Sequence, residues 1–362
     1  MRRVAIASAA TSRFTKASEK PIFELACEPC FEIVRDFGKG IDAVMLSTCT
    51  TEQYISAIVS EMLGLKPKVS QRVDNLCNSG TNAIASAYSM IAAGLCDSAL
   101  VVGAEKAASE GNRLTWDVTR GAFNFPVHWA AMFAKAHMRR YGTTEEQMAQ
   151  VSVNSHKNAA KNPNALFQKP VSIQEVMESK KIADPIKLLD CSAPCDGASA
   201  VLLLGEEKAK KTENPVWING IGQQTNGASF ANTADLTKLD TARRAANEAY
   251  KMAWIKPSDV DIAELHDAFT ILEILAYEDL GFAKKGEGGR FVSNKDIAVN
   301  TRGGILGCGH PVGATGVSQT AEIALQLAGR AGKRQVKKNC TTGLVHNLAA
   351  AGSSATVMVL GV

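Results

Sequence analysis

Short apolar runs alternate with helical patterns over the first hundred positions, and this alternation constrains the fold more than any other feature of the chain. Val4 to Ala7, Asp42 to Leu46, Val69 to Asp74 and Leu100 to Gly103 read as strands, and Pro21 to Phe37, Thr51 to Leu63 and Cys77 to Gly94 as helices. Strands that are apolar on both faces and separated by helices predict an α/β fold with a mostly parallel sheet covered on both sides. From Glu105 to about Ala193 the rhythm breaks. Helices are expected there near His128 to Arg140 and Glu145 to Lys161, the second opened by a capping-box pattern from Thr143 to Glu146. Residues 105–193 therefore read as an inserted, largely helical lobe. Ala198 to Leu204 closes the first half, the charged stretch Glu206 to Asn214 connects, and Val216 to Gly220 restarts the alternation. The predicted halves are residues 1–205 and 215–362.

The chain has 362 residues, enough for two halves sharing one large core. Its charged fraction of 21% and net charge of +4 favour neither a nucleic-acid groove nor a membrane-binding surface. Nine scattered cysteines cannot all pair within one molecule, so a reducing, cytoplasmic setting is expected. No apolar run approaches the roughly 20 residues that span a bilayer. The opening Met-Arg-Arg-Val-Ala-Ile-Ala-Ser-Ala-Ala imitates a signal peptide, but its apolar run is short and reads as a first strand. Cys27-Glu28-Pro29-Cys30 and Cys191 to Cys195 raise a four-thiolate zinc site. The first pair falls within a helical apolar pattern, which points to core packing, and no metal is expected.

Two small-residue turns precede apolar helices: Leu76-Cys77-Asn78-Ser79-Gly80 in the first half, and Gly307-Cys308-Gly309-His310-Pro311 through Gly316 in the second. This common layout suggests an internal duplication. Cys77 falls where a strand gives way to a helix of small and apolar residues. In the first turn of such a helix, backbone donors and the helix dipole favour thiolate over thiol. The loop Gly303 to Gly316 is dense in glycine and leaves Cys308 and His310 as its ionisable side chains. A histidine presented by such a loop is a candidate base for a thiol.

Asn75-Leu76-Cys77-Asn78-Ser79-Gly80 together with Gly309-His310-Pro311-Val312-Gly313-Ala314-Thr315-Gly316 resembles the signature pair of the thiolase family. His266-Asp267-Ala268-Phe269 resembles the sterol-carrier-protein branch, where other thiolases have Asn-Glu-Ala-Phe. Leu114-Thr115-Trp116-Asp117 with His128-Trp129-Ala130 looks like the archaeal acetoacetyl-CoA thiolases of that branch. The resemblance covers essentially the whole chain. It implies a thiolase-like fold of two duplicated halves in five layers, α-β-α-β-α, and reversible condensation of two acetyl-CoA to acetoacetyl-CoA plus CoA.

By the same resemblance Cys77 carries the acyl group, His310 accepts its proton, and His266 stabilises the thioester oxygen, directly or through a water. His128, Ala268, Phe269 and Ser229 would line the acyl and pantetheine channel. Near the C-terminus the family's second acid/base is a cysteine, whereas here His346 stands in the matching stretch, with Cys308 and Cys340 as rivals. Coenzyme A thioesters would be substrates, with no cofactor. A homodimer or homotetramer is implied, as is work beside a zinc-ribbon and OB-fold protein and a hydroxymethylglutaryl-CoA synthase. Two other functions remain open: a different condensing enzyme of the same fold, such as a ketoacyl synthase or hydroxymethylglutaryl-CoA synthase, and a catalytically silent subunit that binds CoA.

Overall fold

The computed structural model describes residues 2–108, 125–230, 233–294 and 296–362; the Leu114 to Asp117 motif lies outside them. The first half runs β1 (Val4–Thr11), α1 (Ile22–Cys27), α2 (Cys30–Phe37), β2 (Ala43–Ser47), α3 (Ile55–Met62), β3 (Val69–Val73), α4 (Ser79–Ala92) and β4 (Ser98–Lys106). The single helix expected from Pro21 to Phe37 is two, because Pro29 lacks the N–H that would continue the ladder. Cys27 and Cys30 on these helices are fully buried in the apolar core, where burial pushes both thiols up.

The lobe contributes α5 (Pro126–Tyr141), α6 (Glu145–Ala159), α7 (Ile173–Glu178) and a small hairpin, β5 (Lys181–Ala183) with β6 (Ile186–Lys187). The capping box of α6 lies one residue later than expected. Thr144 accepts from the Gln147 N–H, and the Gln147 side chain accepts from the Thr144 N–H. The chain then passes through β7 (Asp196–Gly205) and α8 (Glu206–Ala209) into the second half. There β8 (Val216–Thr225), α9 (Asp240–Ala253), β9 (Ile262–Glu264), α10 (Thr270–Asp279), α11 (Gly288–Phe291), β10 (Ala298–Val299), α12 (Gly304–Cys308), α13 (Val312–Leu327), β11 (Thr342–Ala349) and β12 (Ser354–Gly361) follow.

Five strands of each half are ordered alike, β3-β2-β4-β7-β1 and β10-β9-β11-β12-β8, and β1 meets β8 through Ala5–Trp217 and Ile6–Val216. The sheet is mixed rather than mostly parallel. Only β2–β3, β2–β4, β9–β10 and β9–β11 are parallel. β7 follows the lobe and β12 follows a short turn after β11, so neither arrives by the helical crossover that makes strands parallel.

Alternation along β7 shows the layering. Ala198, Ala200, Leu202 and Leu204 join a core under α1, α2 and α3, while Val201 and Leu203 join a central core with α4 and α13. A third core holds α9 and α10 with α5 and α6 of the lobe. The two central helices nearly touch at Gly80, where an added Cβ would lie 2.6 Å from the Val317 nitrogen and 3.0 Å from the Gly316 Cα. This close crossing brings the two helix N-termini to one place.

Candidate active site

Cys77 belongs to a turn held by its neighbours. Asp74 accepts from the Leu76 N–H at 3.2 Å, while the Ser79 hydroxyl accepts from the Asn75 N–H at 2.7 Å and donates to the Leu76 carbonyl at 2.6 Å. Leu76 is left-handed at φ 51°, a conformation that costs a non-glycine residue free energy and that the surrounding bonds must hold. The helix begins at Ser79 with Asn78 at its N-cap, so Cys77 stands just outside the first turn rather than in it. Asn78 also donates to the Ser354 hydroxyl at 3.3 Å, tying this elbow to the second half.

The Cys77 sulfur faces its own backbone N–H and that of Ala350, and both favour thiolate. Burial outweighs them and pushes the thiol up to about 12, so the expected helix-dipole activation does not prevail in the free protein. Nearby Glu105 adds to this. It bridges two segments, accepting from the Cys49 and Gly313 N–H groups at 2.9 Å each, and burial raises it to about 7.

His310 leaves α12 through Gly309, at φ 99°, and its N–H donates to the Ala193 carbonyl at 2.9 Å. Its Nδ1 lies 2.8 Å from the Thr315 hydroxyl, which itself donates to the Pro311 carbonyl at 3.2 Å. That hydroxyl has one hydrogen, so it accepts from Nδ1–H, and Nε2 is left as an unprotonated acceptor. Burial, then the Arg302 charge, lower His310 to about 4. It is therefore a neutral base at ordinary pH.

His266 follows the end of β9, and its ring meets that of His310 edge to face, 5.5 Å between centroids. Burial, then His310, His346 and Arg302, hold it well below the usual imidazole range. Neighbouring Asp267 accepts from the Ile305 and Leu306 N–H groups at 2.6 and 3.4 Å and from the Ser155 hydroxyl at 3.0 Å, clamping this segment to α12 and α6. One donor atom from each of Cys77, His266 and His310 lies within 4.8 Å of the others.

The other sequence candidates fall into two groups. His346 is fully buried on β11 opposite Val357, on the face that Leu344 and Leu348 turn to the third core, and its Nε2 has no partner. Strand alternation sends Asn347, not His346, toward the central helices. The structure does not bring His346 into the Cys77 cluster itself, although its Nδ1 accepts from the His266 N–H at 3.5 Å. Nor does it gather Cys308, which packs with Phe14, Ala159, Ala165 and Cys195, or Cys340, whose thiol donates to the Lys338 carbonyl at 3.5 Å.

The channel candidates fall on several elements. Ser229 lines a cavity of about 270 Å³ with Phe230, Leu239, Ala351 and Gly352, beside the Ala350 N–H that faces Cys77. His128 is in the first turn of α5, next to Trp129, whose ring stacks on Phe230 at 6.2 Å. Ala268 is buried in the third core and Phe269 packs against that core, with the Ala268 carbonyl accepting from the Ser192 N–H at 2.9 Å. Sequence reasoning missed Ala350, Thr315, Asn347 and Gln319. For Asn347 a signal existed: a period of two along 342–349 allows only one of positions 346 and 347 to face α13.

The family model described as "Thiolase, N-terminal domain" matches residues 32–207, and the one described as "Thiolase C-terminal domain-like" matches residues 222–362. An acetyl-CoA acetyltransferase of Methanothermobacter thermautotrophicus is 37% identical over 99% of both chains. Sterol carrier protein 2 of Oryctolagus cuniculus is 34% identical over 83% of this chain and 60% of its own length. The solved structure of an "Ltp2-ChsH2(DUF35) aldolase" superposes with a TM-score of 0.89 at 26% identity, covering 99% of this chain and 97% of that one.

Proposed function

Because this chain belongs to the thiolase family, we propose that it condenses two acetyl-CoA to acetoacetyl-CoA and CoA, reversibly, through an acetyl-Cys77 intermediate. The observation that carries this reading is the convergence of one thiol and two neutral imidazoles, one of them with an unprotonated Nε2, within 4.8 Å.

In the first half-reaction His310 Nε2 takes the thiol proton as the Cys77 sulfur attacks the thioester carbonyl. The new carbon–sulfur bond forms, and the carbonyl oxygen, now negative, is stabilised by the backbone N–H groups of Cys77 and Ala350. Collapse breaks the bond to the CoA sulfur, which leaves with the proton from His310. In the second half-reaction the methyl carbon of another acetyl-CoA loses a proton. His310, neutral again, is the base within reach, and His266 stabilises the enolate oxygen. The carbanion attacks acetyl-Cys77, and the released thiolate recovers the proton.

A thiol near pKa 12 beside an imidazole near 4 rests as a neutral pair, so the proton moves only when substrate arrives. Such a pair keeps the thiolate, the form that oxidises most readily, scarce between turnovers. The similar acetyl-CoA acetyltransferase supports acetyl-CoA as substrate. The name of the similar aldolase pairs Ltp2 with ChsH2(DUF35), which supports testing for a partner subunit.

The test is cleavage of acetoacetyl-CoA by free CoA, followed at the loss of its enolate absorbance, with mass spectrometry of the stalled enzyme. Acetyl on the Cys77 peptide is expected. Acetyl-CoA formation without any acyl-Cys77 would overturn the mechanism, and no turnover would favour a silent CoA-binding subunit.

A further inference from the structure

Behind His266 runs a line of buried amides that the reaction as described does not use. Gln319, on α13, is fully buried and its Nε2 donates to two carbonyls, of Leu265 at 3.0 Å and of His346 at 3.3 Å. Carbonyls only accept, so the Gln319 amide has one orientation, and its Oε1 is turned the other way. Oε1 accepts from Asn347 Nδ2 at 2.7 Å. That contact fixes the Asn347 amide in turn, because its own oxygen could not donate to Oε1. The same Asn347 nitrogen reaches His266 Nδ1 at 3.1 Å and has a second N–H to give.

His266 Nδ1 must therefore accept. Burial keeps the ring neutral, and its single proton then resides on Nε2, the ring nitrogen that remains to donate. The two imidazoles are thus held in opposite tautomers by different second partners. Thr315 leaves His310 with an acceptor at Nε2, while Asn347 leaves His266 with a donor there.

We propose that Asn347, oriented by Gln319, is a positioning residue that fixes His266 as the Nε2–H tautomer and so makes it a donor to the thioester oxygen. The opposite tautomer would aim a lone pair at developing negative charge, abolishing that stabilisation. The kinetic part rests on the thiolase reading; the tautomer itself does not.

Nitrogen-15 NMR of the histidine-labelled full chain tests this, since protonated and unprotonated ring nitrogens are well separated and only six histidines are present. In the unsubstituted protein His266 is expected to carry its proton on Nε2 and His310 on Nδ1. Asn347→Asp keeps the size but accepts instead of donating, so a proton should appear on His266 Nδ1. A role in packing alone predicts no such change. Asn347→Leu should lower kcat for thiolysis at least tenfold with KM within about twofold, as expected for a contact used in the transition state. Gln319→Met should have the same effect more weakly. A proton on His266 Nδ1 in the unsubstituted protein, or Asn347→Asp leaving the His266 nitrogens unmoved, overturns the proposal. Should the predicted tautomers appear in a protein that does not turn over acetoacetyl-CoA, the positioning role stands and the substrate assignment fails.

Discussion

The elbow before α4 and the loop before α13 occupy equivalent places in the repeated strand order, one presenting Cys77 and the other His310, yet they are built differently. The first is a short turn whose strained residue is Leu76, held by Asp74 and Ser79. The second spends Gly303, Gly304 and Gly309, all at positive φ, and inserts α12. A thiol is small and needs only to be lifted off the end of a strand. An imidazole must have one nitrogen anchored and the other aimed, so its loop is clamped from several sides: by Ala193, Thr315 and, through α12, Asp267. Chemistry with a tighter geometric demand receives the more constrained backbone.

Substitutions put this contrast at risk, the most damaging first. Cys77→Ala should reduce thiolysis to background, measured against acetoacetyl-CoA, because no other thiol joins the cluster among the described residues. His310→Ala should cost roughly 10²–10⁴ in kcat/KM, the usual range for a positioned base. The pH profile adds a second reading of His310. With His310 lowered to about 4, its base form persists to lower pH than free imidazole, so the acid limb of kcat/KM should lie near 4 to 5 rather than 6.5. A limb at 6.5 would mean an unburied His310.

Gly80→Val tests whether the two elbows depend on the same helix crossing. Its side chain would press on the Val317 and Gly316 backbone, so a loss of about 1–3 kcal/mol in denaturant unfolding is expected, with reduced activity as the N-termini separate. His346→Leu should be the mildest. It relieves a buried, unpartnered Nε2 but also removes the Nδ1 that accepts from the His266 N–H at 3.5 Å, and the two effects offset, so stability should change by about 1 kcal/mol or less and kcat by less than about tenfold. A loss as large as that of His310→Ala would return His346 to the chemistry.

Much of this was legible in the chain. The strand and helix alternation located nearly every element of the first half, because strands buried on both faces cannot hide their apolar runs. Cys77, His266 and His310 were each marked by their neighbours in sequence, and the structure brings all three together. What failed did so for identifiable reasons. Sheet direction depends on how the chain returns to the sheet, and nothing local to β7 records that it follows the lobe. Asn347 went unnoticed because which of the adjacent positions 346 and 347 meets α13 is a matter of register.

The α/β layering and the places of Cys77 at a helix start and His310 in a glycine-dense loop could be read from the chain alone, because burial on two faces and small-residue turns are local necessities of backbone and side-chain chemistry; the roles proposed for the two residues came from the resemblance. The protonation of the cluster and the tautomer of each ring emerge only in three dimensions. Those properties belong to burial and to hydrogen-bond partners that arrive from distant segments: Ala350 at Cys77, Thr315 at His310, and Asn347 with Gln319 at His266.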